Sequence, residues 1–286
     1  MLEGLKEFQS FPCATTAEIV TSEENRLLFI LDAKRQPNAI VRLYQLGEDL
    51  NLGYLYADTE LASVAQKGPI WFSAHRDSQL ARLGMQLCHE RHAGIIIAAE
   101  DERTALAHAR GLIRVRDLSG GESLIAFHLP SVWAALALTL SSDEALFGPW
   151  RTVYSPAPQR LNPSDGWHSW TSPGAASSPD SRKDRLSIAS TTPAYMRTLR
   201  WVYWIDEELE AFRNPTVEQL PGLIANLETL VGHRVYEGRH LLKVVELIGG
   251  PLIDEQPQVM SILRTPEEAF LKIEKLQALT LTEHQA

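Results

Sequence analysis

The chain has 286 residues with a formal net charge of −9, and 44% of its residues are hydrophobic and 22% charged. This length exceeds that of a usual single domain and the composition is typical of a globular protein, so we expect two domains with a sizeable core. The negative charge argues against a nucleic-acid binder, because phosphate contacts need clustered Lys and Arg, and it suits a basic partner.

Targeting and redox signals point to one compartment. The N-terminus lacks the basic region and long apolar run of a signal peptide, and the longest apolar stretch, 132–140, is far shorter than the roughly 20 residues of a membrane span. Cys13 and Cys88 are the only cysteines, too few for a disulfide framework and typical of a reducing compartment. We therefore expect a cytoplasmic protein without membrane contact.

Strands and helices alternate over residues 1–154. Helices are predicted at Asp77–Glu90, with Asp77 as the expected N-cap, and at Asp101–Arg110. Ser119-Gly120-Gly121 is typical of a hairpin turn, since glycine adopts positive φ without strain. We expect an N-terminal α/β lobe with a mixed sheet. Its predicted strands, rich in β-branched and aromatic residues, are Leu27–Leu31, Gly53–Tyr56, Ile70–Ser73, Ile95–Ala98, Leu112–Arg116, Ser123–Phe127 and Arg151–Tyr154.

Residues 155–192 differ in composition from the lobe before them. Sixteen of these 38 residues are Ser, Pro or Gly, which predicts an exposed linker or a long loop. A plain linker has no need of Trp167 and Trp170, so we expect these rings to dock on a lobe or to be covered by a partner. The composition also suggests that the segment acts as a hinge or a clamp.

Residues 193–286 follow a helical pattern and predict an all-α lobe, which makes the overall fold class α+β, or mixed. A capping box of Thr265 and Glu268 predicts the start of the last helix, with Phe270, Ile273 and Leu276 on its buried side. The earlier helices are predicted from the cap and first-turn pair Thr192-Pro193 onward, over Thr216–Val231 and over Arg239–Ile248.

The candidate catalytic and metal-binding motifs do not fit known sites. His89 and His92 are three residues apart at a predicted helix end, whereas the zincin motif needs two His four apart on one helix face. Cys88 falls on the apolar side of that helix, and we expect the carboxylates of 206–210 to form a solvated helix face instead of an acid–base site. The chain has neither a Gly-x-Ser-x-Gly elbow nor a phosphate-binding Gly-rich loop. We therefore expect no enzyme, with no catalytic residue, cofactor or metal.

Six tryptophans are the candidate partner-binding residues, because Trp brings a large contact area and an N–H donor to an interface. The alternative is that these rings are packed inside the protein. Trp133 lies in a predicted helix and Trp150 borders a strand, so both suit a core position. Trp201 and Trp204 flank an apolar helix stripe, which suits packing between the two lobes. The six are Trp133, Trp150, Trp167, Trp170, Trp201 and Trp204.

Several motifs occur in the order found in one family of secretion proteins. An aliphatic-Leu-Asp-Ala run, Phe29–Ala33, precedes a predicted helix at Asn38–Leu46, and Phe127–Trp133 corresponds to the aromatic-Tyr-Asp-Pro-Arg-Val-Leu run of that family. Phe147-Gly148-Pro149 then leads into a strand, and the helical tail contains Gly249-Gly250. On these residues the chain resembles the adaptor chaperones of type VI secretion effectors. It departs from their pattern at Leu129 and Ser131, which replace the Asp and the Arg.

The resemblance implies a bacterial chaperone or adaptor that binds a cognate effector, a toxin, and helps to load it onto the spike protein of the secretion apparatus. Its implied partners are that effector and the spike protein, with no nucleic acid and no membrane. Such a chaperone needs a concave apolar surface to shield an effector segment, and we expect that surface between the two lobes. The alternatives are an immunity-type protein that neutralises a toxin and an enzyme with an unrecognised site.

Overall fold

The computed structural model describes residues 2, 4–21, 25–159, 166–173 and 185–283. The chain divides into two compact units: the α+β unit lies within Glu3–Arg200, and the helical unit lies within Trp201–Ala286 together with Met1–Leu2. The α+β class predicted from the sequence is confirmed. The division falls between residues 200 and 201, whereas the sequence placed boundaries at 154 and 193.

The strands of the α+β unit follow the buried hydrophobic runs of the sequence. They are β1 (Cys13–Ala14), β2 (Arg26–Leu31), β3 (Asn51–Tyr54), β4 (Ile70–His75), β5 (Gly94–Ala99), β6 (Arg114–Arg116), β7 (Glu122–Leu124), β8 (Trp150–Pro156) and β9 (Trp167–Thr171). Among the described residues, β6 and β7 form a separate hairpin, and the other seven strands form one sheet in the order β1-β9-β8-β5-β2-β4-β3.

All neighbours in the seven-stranded sheet are antiparallel, whereas we expected strands of mixed direction. The reason lies in the position of β2. It pairs with β4 on one side and with β5 on the other, so β4 and β5 run parallel to each other without touching. A helix joins β4 to β5, as the alternating sequence pattern indicates, but β2 separates the two strands.

The helices of the α+β unit are mostly short. They are α1 (Leu5–Gln9), α2 (Thr16–Val20), α3 (Ala39–Tyr44), α4 (Gln79–His89), α5 (Glu102–Leu112), α6 (Pro130–Thr139) and α7 (Glu144–Phe147). α4 begins one residue later than expected: Ser78 is its N-cap and accepts a hydrogen bond from the Ala81 amide at 3.0 Å, so Asp77 is not the cap.

α4 packs on the sheet through a glycine. The rings of Phe29 on β2 and Phe72 on β4 stack with centroids 4.7 Å apart, and Gly84 of α4 lies directly against them. A Cβ atom at Gly84 would lie 2.6 Å from the Phe29 ring, closer than van der Waals contact allows. The absence of a side chain at Gly84 therefore lets the helix approach the centre of the sheet.

Part of the segment 155–192 belongs to the sheet. β8 extends to Pro156, and β9 pairs with it from Thr171 to Trp167. Trp167 and Trp170 are 1% and 2% exposed. Of the two alternatives considered for these rings, docking on a lobe or cover by a partner, the structure shows the first. Residues 160–165 and 174–184 lie outside the described residues, and the hinge or clamp stays a prediction.

The C-terminal helices are α8 (Thr192–Glu207), α9 (Leu220–Gly232), α10 (Gly238–Leu241), α11 (Val245–Gly249), α12 (Pro257–Leu263) and α13 (Ala269–Glu283). The predicted capping box at Thr265 is wrong. The Thr265 hydroxyl instead donates a hydrogen bond to the Ile262 carbonyl at 2.8 Å, at the end of α12. The sequence pattern did not reveal that a helix ends at this point. Ile273 and Leu276 are buried on α13 as predicted, whereas Phe270 is 52% exposed.

Candidate partner-binding surfaces

The four tryptophans of the α+β unit are packed inside it. Trp133 and Trp150 lie 5.6 Å apart between ring centroids, and the Trp150 indole donates a hydrogen bond to the Ala105 carbonyl at 3.1 Å. The Trp170 indole donates to the Ser155 hydroxyl at 2.9 Å. With Trp167, these rings are 0–2% exposed, so they stabilise the core and offer no surface to a partner.

The two tryptophans of the helical unit differ from each other. Trp201 is 5% exposed and its indole donates to the Glu228 carboxylate. The Trp204 ring meets the rings of Trp201 and Phe212 edge-on, with 5.6 Å and 5.5 Å between ring centroids. Its side chain is half-buried. Of the six candidate residues, Trp204 is thus the one that a partner reaches without rearrangement.

A polar cluster lies at one end of the central strands, where β2 ends and β5 begins. The Asp32 amide donates to the Ala93 carbonyl at 2.7 Å, and Arg35 donates to the Arg91 carbonyl at 2.7 Å. His128, which precedes α6, lies within the field of the Asp32 and Arg35 charges. Burial lowers the pKa of His128 to about 4, although Asp32 opposes this effect, so the imidazole is neutral at pH 7.

Cys88 lies close to this cluster, because its carbonyl accepts the Ala93 amide at 2.8 Å. Burial raises the pKa of the Cys88 thiol well above its usual value, so this cysteine stays protonated, unlike a nucleophile. In the part of the chain that the structure describes, no group of three or more His, Cys, Asp and Glu side chains is placed to hold a metal ion. α4 ends at His89, one residue before the predicted end at Glu90, and His92 beyond it is buried.

Glu90 ties α3 to the end of α4. The Arg42 guanidinium donates to its carboxylate at 2.7 Å and Gln86 donates at 2.7 Å, and the buried Gln36 amide donates to the Glu90 and Leu87 carbonyls at 3.0 and 3.1 Å. The hydrogen bond from Arg42 is the main cause of the lowered pKa of Glu90. This network fixes the orientation of α3 on the protein surface.

With α3 held in this way, two large apolar side chains point outward. Ala39 and Leu43 are buried against the core, whereas Val41 and Tyr44 are 56% and 63% exposed. Val41 and Tyr44 are three residues apart and therefore lie on the same side of the helix. We call this pair the α3 face. An exposed Tyr beside an aliphatic residue is the type of surface that partners bury in protein complexes.

The hairpin of β6 and β7 exposes a second apolar pair. Leu118 and Leu124 are 57% and 58% exposed. Asp117 organises the turn between them: one carboxylate oxygen accepts the Ser119 amide at 2.9 Å and the Gly121 amide at 3.0 Å, and the other accepts the Ser123 hydroxyl at 2.8 Å. The hydrogen bond from the Ser119 hydroxyl is the main reason that the pKa of Asp117 is lowered.

Sequence reasoning did not identify either pair, although one signal for the α3 face was present. The predicted helix over Asn38–Leu46 holds more apolar residues than one buried stripe requires, so some of them must face solvent. Which residues do so depends on the contacts of Gln36 and Arg42 with Glu90, and these lie far apart in the sequence.

The fold and surfaces define a mixed α+β protein with exposed apolar pairs on its sheet-containing unit. Residues 28–146 match the family model of a domain of unknown function, DUF4123. The match runs from β2 to α7 and includes both the α3 face and the hairpin. Comparisons with curated proteins and with solved structures gave no significant match. No helix within the described residues has the length and apolar character to cross a membrane.

Proposed function

We propose that this chain is a non-catalytic adaptor chaperone that binds one cognate type VI secretion effector in the bacterial cytoplasm and helps to load it onto the spike protein. The observation that carries the proposal is the family match over residues 28–146. It covers the Phe29–Ala33 and Phe127–Trp133 motifs through which the sequence resembles these adaptors. The DUF4123 family is associated with adaptors of type VI secretion effectors, so the motif resemblance and the family match support the same function over the same stretch of chain.

The α3 face is the surface that we assign to effector binding. Its two side chains are exposed by more than half, and the network around Glu90 holds their helix in place without a partner. Binding therefore costs little ordering of the adaptor, which leaves more of the apolar contact energy for affinity. The negative charge of the chain suits an effector with a basic surface.

Co-expression with the products of neighbouring genes tests this function. The tagged chain is expected to co-purify with a toxin-like protein as a stoichiometric complex that survives size-exclusion chromatography. A lone monodisperse chain under these conditions contradicts the proposal. If the complex forms and also abolishes the toxin's activity in the cytoplasm, the immunity-type role replaces the loading role.

Paired substitutions test the surface. Val41→Lys with Tyr44→Lys should weaken capture by roughly 30-fold or more, because loss of a buried aromatic anchor costs about 2 kcal/mol. Since both side chains are exposed, the free energy of unfolding should change by no more than about 0.5 kcal/mol. Leu118→Lys with Leu124→Lys is the matched control. Loss of capture in the control alone would move the contact to the hairpin and refute the α3 assignment.

A further inference from the structure

The helical unit contains a groove that the α3 face does not involve. It has a volume of about 560 Å³, within the range of roughly 300–1,000 Å³ that is usual for ligand sites. Phe212 and Leu223 form its apolar floor and are 8% and 5% exposed, whereas Ile248, at 0%, offers no surface of its own. Most of the remaining lining is also small or apolar, from Ala211, Pro215, Gly222, Val245, Gly249 and Gly250.

The groove is built in advance of any occupant. One wall is the Gly249-Gly250 turn, and the buried side chain of Asn226 holds it: the amide nitrogen donates to the Ile248 carbonyl at 2.9 Å, and the amide oxygen accepts the Ile253 N–H at 2.8 Å. Arg213 also lines the groove and has a positive φ of 56°. A left-handed non-glycine residue is unfavourable by about 1–2 kcal/mol and persists only where its surroundings impose it.

The charges around the groove are predominantly negative. Glu218 and Glu246 line it, with Arg213 as the only cation among its lining residues. Arg213 pairs with Glu246, but its side chain is 81% exposed, so the pair contributes little and an incoming cation can replace it. Residues 201–286 contain fourteen Asp and Glu against seven Lys and Arg, a net −7 out of the chain's −9. This field attracts a cationic partner.

We propose that this groove binds a short apolar segment flanked by Lys or Arg residues in a partner protein. The apolar side chains of the segment pack on Phe212, Leu223 and Val245, and its cationic flanks meet Glu218 and Glu246. The inference deepens the proposed function and rests on it in one respect, since the partner that supplies the segment is then the effector. The groove and the α3 face would hold the same client at two places.

Two glycines of α9 allow a matched test. A Cβ atom at Gly222 or at Gly232 would meet no atom within 4 Å, so a side chain can leave the backbone at either position without a clash at its Cβ atom. Gly222 lines the groove and Gly232 does not. Gly222→Trp fills the groove, and Gly232→Trp makes the same change at the other end of the helix. Helix propensity favours Trp over Gly, so both full-length variants should fold, which circular dichroism verifies.

The probes are two fluorescein-labelled amphipathic peptides of about 15 residues, with the same apolar residues and either Lys or Glu flanks. Fluorescence anisotropy with the full chain should show the Lys peptide binding at least ~10-fold tighter than the Glu peptide. Gly222→Trp should weaken the Lys peptide ~10-fold or more, and Gly232→Trp should leave it within about 2-fold. Glu218→Gln with Glu246→Gln should remove most of the preference between the peptides.

Equal affinity of the wild type and Gly222→Trp for the Lys peptide would overturn the proposal, as would equal affinity for both peptides or binding of neither. The same variants separate this failure from that of the proposed function. If Gly222→Trp captures the effector as the wild type does, the adaptor role stands and the groove assignment falls. If the peptide binds in the groove but no effector co-purifies, the groove stands and the adaptor role falls.

Discussion

Replacement of Asn226 by Leu should destabilise the helical unit by roughly 2–6 kcal/mol. Asn226 is 1% exposed, and its side chain satisfies the Ile253 N–H at 2.8 Å and the Ile248 carbonyl at 2.9 Å. Leu has a similar volume but neither a donor nor an acceptor. Each buried backbone group left without its partner costs about 1–3 kcal/mol, and two such groups give the stated range. The longer hydrogen bonds to Gly250 and Pro251, at 3.4 and 3.2 Å, add less.

Urea unfolding followed by circular dichroism measures this loss, and hydrogen exchange of peptides from 248–256 locates it. Exchange of the Ile253 amide should accelerate in Asn226→Leu. Gln258→Leu is the matched control, because Gln258 is an exposed amide on α12 and its replacement should change stability by no more than about 0.5 kcal/mol. A similarly small change in Asn226→Leu, with unchanged exchange at 248–256, would refute the role given to this side chain and the claim that the groove is preformed.

Three further changes test the α+β unit. Gly84→Ala should lower the free energy of unfolding by about 1–3 kcal/mol, because its Cβ atom would lie 2.6 Å from the Phe29 ring. The control Gly111→Ala in α5 places a Cβ atom that meets no atom within 4 Å, so it should raise the free energy of unfolding by up to ~1 kcal/mol in the same urea assay. Burial lowers the pKa of His128 and of His168 to about 4 from 6.5, so the unfolded chain binds more protons between these values. The free energy of unfolding is therefore highest above pH 6.5 and falls by roughly 3 kcal/mol per histidine as the pH is lowered towards 4. His168→Phe should make the free energy of unfolding less dependent on pH in this range. The same slope in the variant and the wild type would contradict this reasoning.

The sequence predicted the central strands well, because they are nearly continuous hydrophobic runs. Leu27–Leu31 and Ile95–Ala98 fall inside β2 and β5 and are buried throughout. Their order in the sheet could not be read from this pattern. The insertion of β2 between β4 and β5 depends on pairing between residues far apart in the chain, and hydrophobic runs carry no record of their neighbours.

Local composition misled where a short element lies in an unusual segment. β9 has five residues within a Ser-, Pro- and Gly-rich stretch, and the strand signal of Trp167 and Trp170 was outweighed by its surroundings. Thr265 has the spacing of a capping box, but the end of α12 competes for its hydroxyl. In both cases a tertiary or neighbouring contact decided between two locally acceptable structures.

The candidate surfaces were the least predictable part. Tryptophan is the residue type most favoured at interfaces, yet the same large area makes it a core residue, and five of the six candidates are buried. The α3 face instead uses Val41 and Tyr44, whose exposure follows from the Arg42–Glu90 contact across 48 residues of sequence. The groove depends likewise on Asn226 reaching Ile248.

We propose that this chain holds an effector before its secretion. The most direct test is to express the neighbouring toxin-like protein with and without the chain, and to measure its soluble amount in cells and its amount in the culture supernatant. We expect the client to be soluble and secreted only when the chain is present, and we expect the variant Val41→Lys with Tyr44→Lys not to restore its solubility and secretion. A client that is equally soluble and equally secreted without the chain would contradict the account.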